Sequence, residues 1–147
     1  MKKFIENSLE KAISYSEYRT LVKGLLDEGK STGPNQSEDL LNYSLLNDKR
    51  MKRLDKTMKL SEITQTKLAE IKEAQTWLVI TEGWCGDAAQ NLPVINKLAE
   101  ENDNIHLLIS SDKEDYLREA LSILKTKFII SGRIEFYSTT FGNSGIM

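Results

Sequence analysis

Apolar positions in the first part of the chain recur at helical spacing. Leu9, Ala12, Ile13, Leu21, Leu25 and Leu26 follow roughly a 3.6-residue period. Asn7 stands where it can cap such a helix, and Glu10, three residues on, completes a capping box. The spacing therefore predicts one amphipathic helix over 7–28. Gly29-Lys30-Ser31-Thr32-Gly33-Pro34 ends it, because two glycines supply turn geometry and the proline removes a donor. A second helix is expected from near Ser37, with Glu38 and Asp39 at its positive end. It carries Leu40, Leu41, Leu45, Leu46, Met51, Leu54 and Met58. Ser61 is placed to cap a third, shorter helix bearing Ile63, Leu68 and Ile71. The first half predicts helices only.

The pattern changes at Thr76. Thr76-Trp77-Leu78-Val79-Ile80-Thr81 is a short apolar run rich in β-branched and aromatic residues, which suits a strand buried on both faces. Glu82 to Asp87 reads as a turn, and 87–102 as a helix. Ile105-His106-Leu107-Leu108-Ile109 predicts a second buried strand, and Ser111-Asp112-Lys113-Glu114 a capping box opening a helix to about Leu121. Strand, helix and strand joined by short loops imply parallel strands with a right-handed crossover. Phe128-Ile129-Ile130 and Ile134-Glu135-Phe136-Tyr137 flank Ser131-Gly132-Arg133 and read as a hairpin. Residues 139–147 are polar and Gly-containing, and a frayed tail is expected there.

Composition narrows the classes. The 147 residues are 39% hydrophobic and 29% charged, a globular balance expected of one domain. Twenty Lys and Arg against 22 Asp and Glu leave a net charge of −2, which gives no long-range pull on nucleic acid or anionic lipid. Lys2 and Lys3 are followed by Phe4-Ile5-Glu6-Asn7 and not by an apolar run, so a secretory signal is not expected, and no segment has the length of a membrane span. The expected location is cytoplasmic. One cysteine and one histidine exclude a disulfide within the chain and a Cys/His zinc site. No cofactor or metal is expected. The basic cluster Lys49, Arg50, Lys52, Arg53, Lys56 and Lys59, interrupted by Asp55, reads as a solvated helix face. Tyr15, Tyr18 and Tyr43 read as packing residues, and their acidic neighbours argue against stacking on bases.

Chemistry concentrates between Trp77 and Pro93. Cys85 falls where a helix begins, and there unpaired N–H groups and the positive end of the dipole favour a thiolate. A thiolate attacks disulfides; a thiol does not. Gly86 lets the backbone pass close to the sulfur, and Asp87 opposes the thiolate while supporting the helix start. No basic residue lies in the loop itself. The other reading of Cys85 is a buried, inert side chain. His106 reads as a structural residue near the start of a strand, with no spacing that ties it to Cys85.

The strand Trp77-Leu78-Val79-Ile80, the loop Trp84-Cys85-Gly86-Asp87-Ala88 and a helix with Pro93 eight residues after the cysteine resemble the thioredoxin superfamily. Thr81 to Pro93 is similar to a bacterial branch whose loop reads Trp-Cys-Gly-Asp and whose core follows a helical segment. The resemblance implies that Cys85 is the attacking thiol, Trp84 the aromatic rim of the site and Pro93 the helix kink. Ala88 stands where the family has its resolving cysteine, so dithiol activity is excluded and an external thiol must resolve any mixed disulfide. The family's cis-proline is also absent. The matching region is Lys125-Thr126-Lys127, where a cis bond without proline costs about 2.5–4 kcal/mol. From Ile123 onward the chain departs from the family and lacks its final helix; divergence, a shortened chain and a reading-frame change each account for this.

The resulting expectation is an α/β protein of thioredoxin-like fold, a central mixed sheet flanked by helices and incomplete toward its C-terminus. Residues 1–60 form a helical extension, 61–138 the core and 139–147 the tail of a single domain. The apolar stripes of the extension are expected to pack on the core or to pair two copies of the chain. The leading functional reading is a monothiol thiol-disulfide oxidoreductase, with Cys85 as nucleophile, Trp84 and Gly86 shaping the site and Asp87 tuning it. Its partners would be a small-molecule thiol or a protein disulfide. The alternative is a thioredoxin-fold binding or assembly module with an inert Cys85. A third reading, an iron–sulfur cluster bridging two chains through Cys85, lacks a glutathione-binding basic residue near the loop.

Overall fold

Strand β1 (Gln75–Ile80) is the centre of the structure, a computed structural model that describes residues 2–111, 127–130 and 137–138. Its last four residues, Trp77, Leu78, Val79 and Ile80, are all buried, as a strand covered on both faces requires. It pairs in parallel with β2 (Ile105–Ser110), from Gln75 opposite Ile105 to Ile80 opposite Ser110. Its other edge pairs antiparallel with β3 (Lys127–Ile130), and β3 pairs antiparallel with β4 (Tyr137–Ser138). The order is β2-β1-β3-β4. The antiparallel pair expected near the C-terminus is present, with Phe128 opposite Tyr137. Its turn, the helix expected after Ser111 and the tail from Thr139 lie outside the described residues.

The helix expected over 7–28 is two helices. One, α1, runs Lys2–Lys11, and α2 runs Tyr15–Asp27. Ser14 caps α2: its hydroxyl accepts from the Glu17 N–H, and the Glu17 carboxylate accepts from the Ser14 N–H at 2.8 Å. This box draws the Glu17 carboxyl below its ordinary range, chiefly through the Ser14 N–H. Asn7 lies inside α1 and caps nothing. Between the helices Ile13 exchanges two backbone hydrogen bonds with Ile109, at 2.8 and 2.7 Å, which covers part of the outer edge of β2.

Helix α3 (Glu38–Thr57) starts on the Ser37 cap and α4 (Glu62–Ala69) on the Ser61 cap, as the sequence predicts. The α4 helix ends before Ile71, and Ile63 is 77% exposed. Helix α5 (Gly86–Glu100) crosses from β1 to β2 with Pro93 buried inside it.

Two apolar clusters hold these layers. Tyr18 and Val22 of α2 and Met51 of α3 pack with Val79, Ala89, Leu92 and Ile109. Leu68 of α4 packs with Trp77, Ala99 and Ile105. The apolar stripes expected on α2 and α3 are covered only in part: Met51 is in the core, but Leu21, Leu45 and Leu46 are exposed. Tyr43, expected to pack, is 58% exposed instead, because α3 turns the face bearing Ser44, Asn47, Asp48 and Met51 inward.

Candidate functional site

The loop from Thr81 to Cys85 leaves β1 beside the C-terminal end of β2, where the Thr81 N–H donates to Ser110 O at 3.0 Å. A turn closed by Cys85 N–H donating to Glu82 O, 3.0 Å, then delivers Cys85 to the N-cap of α5. The Cys85 side chain makes no capping hydrogen bond to the first turn. Cys85 is only 1% exposed. Trp84 and Asp87 on either side are half-buried, Gly86 is exposed and Ala88 is buried.

Gly86 does not need a glycine's conformational freedom, since the positive φ values among the described residues belong to Gly29 and Gly33. A β-carbon on Gly86 would meet only Arg50 Nη1, 4.0 Å away. The loop itself holds no basic residue, but α3 brings the Arg50 guanidinium to the start of α5. Arg50 is positioned by Asn47, whose Oδ1 accepts from Nη1 at 3.4 Å.

The loop is held from the N-terminal side by side chains with no local signal in the sequence. Gly83 N–H donates to Thr32 Oγ1 at 2.7 Å, and Gly83 O accepts from Asn47 Nδ2 at 3.0 Å. Thr32 and Asn47 are each 3% exposed. Behind them Ser31 and Ser44 share a hydrogen bond of 2.6 Å, and Gln36 folds onto the Ser31 backbone. Gly33, at φ +84°, lies against the Glu82 carboxylate, whose nearest oxygen would be 3.1 Å from a β-carbon there.

Tyr18 closes the site from α2. Its phenol is fully buried, and burial, then the nearby Glu82 carboxylate, pushes its pKa well above the ordinary value; the Cys85 sulfur adds a smaller push the same way. Tyr18, Glu82 and Cys85 therefore share one electrostatic neighbourhood. A neighbouring network ties α2 to α3: Arg19 pairs with Asp48 at 3.0 Å and with Asp55 at 3.7 Å, Lys52 pairs with Asp48, and Tyr15 Oη donates to Asp55 at 2.7 Å. Burial and that bond to Asp55 push the Tyr15 phenol up as well.

His106 is exposed and pairs in register with Thr76 at the N-terminal end of β1, the opposite end of the strand from the Cys85 loop. Among the described residues no group of three or more His, Cys, Asp and Glu could hold a metal ion. Nor is any described helix long and apolar enough to cross a membrane.

A family model described as thioredoxin matches residues 33–128, from the linker ahead of α3 into β3. The chain belongs to the thioredoxin family. No curated protein matches it. Among solved structures, an HIV epitope scaffold is similar at 19% identity and a TM-score of 0.49, over 90% of this chain and 84% of that one. A protein of unknown function from Pseudomonas aeruginosa is similar at 21% identity and a TM-score of 0.44, over 92% and 76% of the two chains.

Proposed function

We propose that this thioredoxin-family protein is a monothiol thiol-disulfide oxidoreductase of the Trp-Cys-Gly-Asp type, with Cys85 as its nucleophile. The observation that carries the reading is the position of Cys85 at the N-cap of α5, the positive end of the helix. The Arg50 guanidinium at the same helix start supports it.

In the proposed cycle the Cys85 thiolate attacks one sulfur of a disulfide RS–SR′, forming Cys85–S–SR and releasing R′S⁻. An external thiolate R″S⁻ then attacks the R sulfur of that mixed disulfide. It forms RS–SR″ and returns the Cys85 thiolate. In the net exchange R″S⁻ is oxidised and R′ leaves reduced as R′S⁻, while R passes into the disulfide RS–SR″. Ala88 cannot contribute the second sulfur. Trp84 borders the site as its aromatic rim, and the Asp87 carboxylate tunes the sulfur from the first turn of α5.

The 1% exposure of Cys85 favours a second reading, a thioredoxin-fold binding module with an inert thiol. The pH dependence of Cys85 alkylation by iodoacetamide, followed by intact mass, separates the two. The single cysteine gives a single label. A midpoint well below ~8.5, the value of a free cysteine, is the expected result. A midpoint at or above it, or labelling only on unfolding, overturns the monothiol reading in favour of the binding module.

A further inference from the structure

The basic cluster of α3 stands beside the Cys85 loop. Tyr43, Leu46, Arg50 and Arg53 follow at steps of three, four and three residues, so they form one stripe along the helix, flanked by Lys49 and Lys56. We propose that this stripe docks a protein disulfide substrate whose chain carries apolar and acidic residues beside the disulfide. The chemistry of the proposal rests on the monothiol reading; the docking needs no reactive sulfur.

The stripe differs from an ordinary solvated face in its charge. The carboxylates interspersed with these cations, Asp48 and Asp55, turn to α2: Asp48 pairs with Arg19 at 3.0 Å, and Asp55 pairs with Arg19 at 3.7 Å and accepts from Tyr15 Oη. Lys52 shares Asp48 at 2.9 Å. Among the described residues no carboxylate stands within ion-pair distance of Lys49, Arg50, Arg53 or Lys56. Apolar surface adjoins these cations. Leu46 is 45% exposed one turn before Arg50, and Tyr43 is 58% exposed two turns before it. Tyrosine and arginine are side chains on which protein interfaces concentrate their energy.

The stripe is also continuous with the site. Arg50 Nη1 lies 4.0 Å from where a β-carbon on the exposed Gly86 would stand. Asn47, next to Leu46, holds the Gly83 carbonyl at 3.0 Å. Helix α3 is therefore fixed against the loop, and a chain lying along the stripe passes the residues that flank Cys85. From Leu46 to Arg53 the helix rises about 10 Å, the length of about three extended residues. A short segment suffices: an apolar side chain for Tyr43 and Leu46, carboxylates for Arg50 and Arg53, and the disulfide beside Gly86. A second copy of this chain fits less well, since the stripe holds no carboxylate and a two-fold pairing would bring its cations together.

The test uses the full chain and two synthetic peptides of equal length, one with Leu and Glu around a single cysteine, the other with Leu and Lys. Docking is read by fluorescence anisotropy on labelled versions with serine in place of the cysteine. The acidic peptide should bind about tenfold or more tightly than the basic one, and the difference should shrink at about 1 M salt. Arg53→Glu should remove the preference, and Tyr43→Ser should weaken binding of the acidic peptide; both positions are exposed, so the fold is kept. Lys72→Glu makes the same change of net charge at an exposed position beyond α4 and should leave the preference intact. Exchange is read on peptides whose cysteine is joined to an aromatic thiol. The Cys85 thiolate attacks the peptide sulfur, forms Cys85–S–S–peptide and releases the coloured aryl thiolate. With each rate divided by that of a small neutral thiol on the same peptide, the acidic peptide should react about tenfold faster.

Equal affinity for the two peptides overturns the docking surface. So does a preference that Lys72→Glu removes as fully as Arg53→Glu. Tighter binding of a single-stranded oligonucleotide than of the acidic peptide overturns it in favour of a nucleic-acid site. Failure of the monothiol reading looks different: the acidic peptide docks with its preference intact, but neither peptide disulfide exchanges.

Discussion

Helix α5 is held differently at its two ends. Its amino end rests on Val79, Ile109 and the apolar residues of α2 and α3, and the loop that leads into it is held by buried hydrogen bonds from Thr32 and Asn47 to Gly83. Its carboxyl end packs against Trp77, Ile105 and Leu68. Polar contacts there sit at the perimeter, where the part-buried Asn102 donates to the carbonyls of Leu68 and Ile71. Apolar burial is non-directional and tolerates many arrangements, whereas a buried polar network fixes one arrangement and is costly when half-satisfied. The end that carries Cys85 thus adds a defined polar geometry to its apolar packing, and the other end rests on apolar cohesion.

The largest effect should come from the cohesive end. Trp77 is 6% exposed, and Trp77→Ala should lower stability by about 3–5 kcal/mol in urea denaturation. If the two ends differ as argued, the remaining folded protein should label at Cys85 no faster than before. Accelerated labelling would mean that both ends open together. Alkaline pH probes the other end. Burial favours the neutral phenol of Tyr18, so its folded pKa lies above the ordinary 10.0. The unfolded chain then releases a proton above about pH 10 that the folded protein keeps. Stability is full below that pH and falls above it by about 1.4 kcal/mol per pH unit from this group. Tyr15 adds a slope of the same sign. Urea denaturation at rising pH should give a shallower decline for Tyr18→Phe than for the unaltered protein; equal slopes would separate Tyr18 from the site's electrostatics.

The two ends were also unequally legible. β1, the Trp84–Asp87 loop and α5 follow from an apolar run, a turn and a helix start, all local signals, and Cys85 is indeed the N-cap. The caps at Ser37 and Ser61 were readable for the same reason. The split between α1 and α2 has a local signal, the Ser-x-x-Glu box of Ser14 and Glu17, but the apolar period runs through Ile13 and masks the break. The roles of Thr32, Asn47 and Arg50 were not legible: Thr32 reads only as part of a break, and Arg50 only as part of a solvated basic face, although it is half-buried against the start of α5. Their roles come from how α3 packs on α5 and the loop, across 36 residues between Asn47 and Gly83, and polar residues carry no periodic signature of such a contact. Tyr18 was legible as a packing residue but not as a neighbour of Cys85.

A smaller effect tests whether α2 holds its place by its own cap. Ser14→Ala should cost about 1 kcal/mol, or ~2–4 °C in thermal unfolding, with no change in Cys85 labelling without urea. The Glu17 half of the box can be tested through pH. Its carboxyl is held below the ordinary 4.5, so the stability it lends is present above that pH and lost as pH falls through the lower folded value. An advantage over Glu17→Gln that persists at lower pH would show that charge plays no part.

The smallest expected effect is at His106, the one imidazole in the chain. Its partner in register is Thr76, while the loop leaves β1 beyond Ile80. At a rise of about 3.3 Å per residue, four steps put some 13 Å of strand between their levels. An exposed side chain at that distance cannot take a proton from the Cys85 sulfur directly, and it anchors no buried contact. His106→Ala should therefore change stability by no more than about 0.5 kcal/mol and leave both the rate and the pH midpoint of Cys85 alkylation unmoved. A shifted midpoint would mean that the sulfur answers to charge at the far end of the sheet. The contrast between a specified end and a cohesive end would then have to be replaced by one electrostatic unit spanning both.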